Sequence, residues 1–236
     1  WFQAKLSATQ LEVDEMLNTF RLSEALKTIY GLIWDDYCSW YLEWIKPGFE
    51  QPIHSKVFEK SIAFYDDLLQ LLHPFMPFIT EEIHHLLKTQ TQDLCVQELA
   101  PIGKVDESVL HAGALLKNVI STLRDARNKN QIKPKDAVEV HIQSENNAAY
   151  QTIQNILAKQ VNAKSVAYTN AAIGSSIVVA LEKDKFYLVA DQVIDTVSLK
   201  ENLLKDLAHQ KGFLESVEKK LANEKFVQNA KAEVLA

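Results

Sequence analysis

Lys117, Arg124, Arg127, Lys129, Lys133 and Lys135 crowd one stretch in which Asp125 is the only acidic residue, although the chain as a whole carries a formal charge of −6. Cations gathered this way can neutralise phosphates, because phosphate binding depends on where charge sits rather than on the total. Lys117, Arg124 and Arg127 share one face at helical spacing, and Lys129 to Lys135 extend that face past the helix end. The plain reading is a solvated face. The functional one is contact with RNA phosphates, with each arginine able to stack on an unpaired base as well.

Other chemistry-bearing patterns are weaker. Glu82-Ile83-His84-His85 contains Glu-x-x-His, which can ligate iron on a bundle helix, but outside this one turn, where Glu81 and His84 repeat the spacing, no glutamate has His three residues on. Asp35-Asp36 and Asp66-Asp67 are poor catalytic pairs, since adjacent helical residues diverge by ~100°, and they read as solvated faces. Trp34, Trp40 and Trp44 could stack on bases, yet their spacing is that of core. The six glycines include no GxGxxG or P-loop arrangement. Cys38 and Cys95 are the only cysteines, so neither a disulfide framework nor a CxxC site is indicated, and a reducing, cytoplasmic setting fits.

With 47% hydrophobic and 24% charged residues over 236 positions, the chain can bury a sizeable core. No apolar run approaches the roughly 20 residues of a membrane helix, so no membrane partner is expected. It opens on Trp1-Phe2-Gln3 without Met, as a fragment of a longer protein would. Residues 1–19 read as a helix. The next starts at Ser23 and carries a broad apolar stripe from Leu26 to Trp44, ending at Lys46-Pro47-Gly48. A third begins near Ser55, with Phe58, Ile62, Tyr65, Leu68, Leu69 and Leu72 facing inward. Pro74 and Pro77 stop it near His73, and Thr80 is expected to cap a new helix from Glu81 to Lys88. Phe75, Met76, Phe78 and Ile79 predict a buried corner. Asp106 caps a further long helix.

At Lys133-Pro134 the period changes. Val138, Val140 and Ile142 alternate with polar residues as in a half-buried strand. A helix from Asn146 or Asn147 follows, then strands over 165–168, 177–181 and 186–190, the last two flanking a polar turn at Glu182 to Lys185. This unit, small enough to struggle alone, should lean on the helices. From Thr196 to Leu221 a narrow seam of Leu203, Leu207, Gln210, Leu214, Val217 and Leu221 alternates spacings of four and three, which predicts a coiled-coil helix. Its lysines are interleaved with Glu201, Asp206, Glu215 and Glu218, an ordinary coiled-coil surface. The expected fold is mainly α: an antiparallel helical bundle over 1–131, a small α/β connector over 132–195 and a C-terminal coiled-coil helix over 196–236.

Leu71-Leu72-His73-Pro74-Phe75-Met76-Pro77-Phe78-Ile79-Thr80-Glu81-Glu82-Ile83 resembles the sequence that closes the helical anticodon-binding domain of the class I aminoacyl-tRNA synthetases for valine, leucine, isoleucine and methionine. Residues Ala222 to Val234 are similar to the tip of the coiled-coil arm found in the valyl-tRNA synthetase family alone of the four. Val119 to Arg127 with Gln131-Ile132-Lys133-Pro134 is similar to that family's junction between bundle and tail. Lys231 stands where the family usually has proline, which removes a pre-set start for a returning helix.

The resemblance implies a tRNA-gripping C-terminal fragment, with tRNA(Val) as partner, the bundle near the anticodon stem-loop and the arm near the outer corner of the tRNA. It adds Lys219, Lys220 and Lys225 of the arm to the expected tRNA contacts. The fragment itself is expected to hold no catalytic residue, metal or cofactor, because HIGH and KMSKS are absent from it; ATP and Mg belong to the parent ligase, itself expected to be monomeric. The rival is a helical protein–protein interaction scaffold with an intermolecular coiled coil, which periodicity alone permits.

Overall fold

The computed structural model describes residues 1–48, 50–88, 92–99, 101–190 and 196–222. Helix α1 spans Phe2–Asn18 and α2 spans Leu22–Gly31, which runs without a break into a π-helical segment, Leu32–Tyr41, and the short α3, Leu42–Ile45. Helices α4 (Ser55–Leu72) and α5 (Pro77–Leu87) form the proline corner, and a 3₁₀ turn at Leu94–Val96 leads to α6 (Glu107–Lys129). Then come β1 (Val138–Gln143), α7 (Asn147–Gln160), β2 (Ala163–Tyr168), β3 (Ile177–Leu181), β4 (Asp184–Ala190) and α8 (Thr196–Leu221). Among the described residues no helix is long and apolar enough to cross a membrane.

Among the described residues two cores hold the bundle helices, α6, α7 and the sheet. In the first, Phe2 and Leu6 of α1 pack on Ala25, Ile29, Tyr37, Phe64 and Leu68. Aromatic rings meet edge to face there, with the Phe2 and Phe64 centroids 5.0 Å apart, and the Tyr37 hydroxyl donates to the Ser61 carbonyl at 2.8 Å. The second core joins Leu116, Val119, Ile120 and Leu123 of α6 to Val138, Val140, Ile142, Phe186 and Leu188 of the sheet, with Tyr150 and Leu157 of α7. The strand order is β2-β1-β4-β3. β1 runs parallel to β2, across the α7 crossover, and antiparallel to β4. α6 also touches α1, so one helix stands between the bundle and the sheet.

Several expectations are corrected. Of the corner's apolar residues only Phe75 is partly buried, packing on the bundle core, whereas Phe78 is 91% exposed and Met76 and Ile79 are also on the surface. Pro77 rather than Thr80 opens α5, and the Thr80 hydroxyl turns back to the Met76 carbonyl at 2.8 Å and to His73 Nδ1 at 2.8 Å. Proline suits a first helical turn because its missing N–H has no partner there. α2 starts at Leu22 rather than Ser23. Its stripe also splits into two rows: Ala25, Ile29 and Leu32 are buried, whereas Leu26, Tyr30 and Trp34 face out, Trp34 at 59% exposure. The small Ala25 lets neighbours approach on its own row, which spacing alone does not reveal. Phe58 is likewise exposed.

The aspartate pairs are not simply solvated. Asp36 is buried and ion-paired with Lys5 and Lys117. Asp66 joins buried His84 at 2.6 Å and also Lys88. α8 is a single helix with Leu204, Leu207, Phe213 and Leu214 exposed, and among the described residues no coiled-coil partner for it is shown. Lys219 is exposed on α8, while the Lys220 side chain, Lys225 and the similarity over 223–234 fall outside the described residues.

Candidate nucleic-acid interface

α6 is set by its cap and by its buried row. Asp106 Oδ1 accepts from the backbone N–H of Ser108 at 3.1 Å and of Val109 at 3.2 Å, supplying partners for donors that a helix start leaves unpaired. Leu116, Val119, Ile120, Leu123 and Ala126 then face the sheet side, which turns Lys117, Arg124 and Arg127 toward the rim of that contact.

The expected continuous basic face divides at this point. Lys117 is drawn inward: its ammonium meets Asp36 and lies 4.5 Å from the Trp1 ring centroid and 5.6 Å from that of Trp40. Arg127 is only 4% exposed. Its guanidinium donates to the carbonyls of Lys133 and Asp136, each at 2.6 Å, and to that of Val161. Burial lowers its pKa from the ordinary value while Asp136 opposes the change. A planar fork of donors suits this task, since one side chain satisfies carbonyls from two separate segments. The loop from Asn130 to Asp136 is thereby wound around Arg127, leaving Lys133 and Lys135 exposed on it and Lys129 exposed at the end of α6.

Arg124 stays on the surface and donates to Gln160 Oε1 at 2.9 Å and to the Gln160 carbonyl at 3.1 Å. Between α6, this loop and the end of α7 lies a cleft of about 420 Å³, lined by Arg124, Asn128, Pro134, Lys159, Gln160 and Asn162 among others. Asn162 Nδ2 donates to the Pro134 and Lys135 carbonyls at 3.2 and 3.0 Å. Lys159 Nζ donates to the Trp44 carbonyl at 3.3 Å and to that of Lys46, where α3 ends; a cation there also meets the negative end of the helix dipole. The arrangement offers hydrogen-bond donors around a recess, with Lys129 at the end of α6 and Lys133 and Lys135 on the adjoining loop. Such a set can hold an anionic backbone and position a flat group beside it.

Sequence reasoning missed Lys159, Gln160 and Asn162, which reach this cleft from a different element. A lysine in the last turn of α7 is the one signal present. Glu82 does not meet His85 as Glu-x-x-His suggested: the His85 partners are Glu81 and Asp93. Cys38 and Cys95 are free and exposed.

The described residues thus form a mostly helical array whose last helix also covers a small mixed sheet, with exposed cations at and beyond the end of that helix. Residues 1–142 match the family described as the anticodon-binding domain of tRNA ligase, and the chain belongs to that family. Over its whole length it is 37% identical to the valine–tRNA ligase of Parabacteroides distasonis and 39% identical to that of Phocaeicola vulgatus. It is 29% identical to the valine–tRNA ligase of Synechocystis. The match falls in the C-terminal part of these ligases, and the chain spans 27% of the length of the first two.

Proposed function

We propose that this chain is the tRNA-gripping part of a valine–tRNA ligase, with tRNA(Val) as its partner. The match of residues 1–142 to the anticodon-binding family carries this reading. Exposed Arg124, Lys129, Lys133 and Lys135 beside the α6–α7 cleft supply the phosphate contacts, and the helical array lies near the anticodon stem-loop, where unpaired bases can be read. Lys117 and Arg127 act indirectly, by fixing α6 against the bundle and the loop against the sheet. The arm, through Lys219, Lys220 and Lys225, adds contacts at the outer corner of the tRNA. Valine activation with ATP and Mg belongs to ligase segments beyond this chain, whose six glycines form no phosphate cradle. The test is competition: unlabelled tRNA(Val) should displace labelled tRNA(Val) better than tRNAs for other amino acids do. Equal displacement by all of them would reduce the role to unselective RNA binding.

The exposed row on α8, which includes Leu207, Phe213 and Leu214, supports a second element of the proposal. It is a seam that packs on another helix, within the ligase or on a second copy of this chain.

A further inference from the structure

The end of α5 carries a cluster that the tRNA reading does not use. Glu81 and His85 stand four residues apart, so both side chains occupy one helix face. Asp93, which precedes the Leu94–Val96 turn, brings a third group to the same place. His85 Nε2 lies 3.1 Å from Glu81 Oε1 and 2.9 Å from Asp93 Oδ1. One ring nitrogen therefore faces two carboxylates. An Nε2–H can point well at only one of them, whereas an Nε2 lone pair and two carboxylate oxygens all suit a cation placed between them.

The geometry is close to what such an ion needs. All three donor atoms lie within 4.8 Å of one another, and bonds of about 2.0–2.2 Å require donor separations only slightly wider than those at His85. The ligands are also held from behind. Glu81 Oε1 accepts the Leu94 N–H at 2.9 Å, and Glu81 Oε2 stands 4.0 Å from His73 Nε2. Charge points the same way: two carboxylates face one imidazole at the C-terminal, negative end of α5.

We propose that Glu81, His85 and Asp93 form a binding site for a divalent transition cation of the zinc class, completed by water. A mixed nitrogen and carboxylate set of three is suited to zinc, and cobalt(II) can report on the same site. The bound ion joins α5 to the turn after it, so its role is to fix the 92–97 segment against the proline corner.

The test uses the whole chain, freed of metal with a chelator and titrated with ZnCl₂ by calorimetry, then with CoCl₂ by visible absorption. The expected result is one strong site per chain, with a cobalt spectrum of low coordination number. Asp93→Asn and His85→Gln should each weaken zinc binding more than tenfold and remove that spectrum, while His54→Gln, at another exposed histidine, should change neither. Both substituted side chains are largely on the surface, so circular dichroism should report an unchanged fold. Wild-type zinc binding that survives in His85→Gln, or no site at all in the parent chain, would overturn the proposal. Neither outcome bears on tRNA binding, which involves other residues.

Discussion

The ammonium of Lys117 meets the carboxylate of Asp36 across the contact between α6 and the π-helical segment, with the Trp1 ring beneath it. Lys5 reaches the same carboxylate at 3.5 Å. Lys117→Met should lower unfolding free energy by about 1–2 kcal/mol. That is less than the loss of a fully buried pair, because Lys5 remains and water still reaches the site. A urea titration should show a lower midpoint at unchanged slope. Affinity for tRNA, measured on folded protein, should stay the same.

Arg127 ties two segments together, so its loss should be more severe. Arg127→Ala leaves the carbonyls of Val161, Lys133 and Asp136 without this donor, and about 3 kcal/mol of stability should go with it. Arg127→Lys should rescue little, because an ammonium on a single stem cannot span the same acceptors. Thermal denaturation of the two variants checks this, and near-complete rescue by lysine would show that charge, not the fork, is what matters.

This residue also marks how far the sequence could be read. Helix α6 and strand β1 follow directly from apolar spacing, since burial on one face is what a periodic pattern encodes. Spacing likewise placed Arg127 on the same side as Arg124. It could not show that the 130–136 loop folds back over one guanidinium and leaves the other in water, because that depends on the Val161 end of α7. Trp34 and Phe78 failed for a related reason: a large apolar side chain reads as core until the neighbouring element is known. Glu81, His85 and Asp93 come together only because Asp93 and Leu94 lie against α5, and a search for Glu-x-x-His sees one turn of helix.

Asp67 is half-buried beside Asp66, and burial first, then that neighbour, raise its pKa above the ordinary 3.8. The folded state therefore prefers its protonated form. Stability is unaffected where both states are protonated, and it falls as pH rises from 3.8 through the folded value. Asp67→Asn should be more stable than the parent at pH 7, and the difference should shrink as pH falls toward 3.8. A difference that grows on acidification would contradict this sign.

Exposed Leu207 and Leu214 on α8 each forgo about 1.5–3 kcal/mol of burial. The chain should therefore self-associate weakly at high concentration, and Leu207→Lys with Leu214→Lys should abolish the effect in sedimentation equilibrium. Association that persists in the double variant would place the contact elsewhere.

If Arg124, Lys129, Lys133 and Lys135 grip tRNA phosphates, binding must depend steeply on salt through these four side chains. With about six phosphate contacts, filter binding of tRNA(Val) should weaken roughly a thousandfold between 50 and 200 mM salt. Replacing the four residues with alanine should reduce the slope of log affinity against log salt by about 3 to 4. An unchanged slope and affinity in the fourfold variant would show that these cations do not hold the RNA.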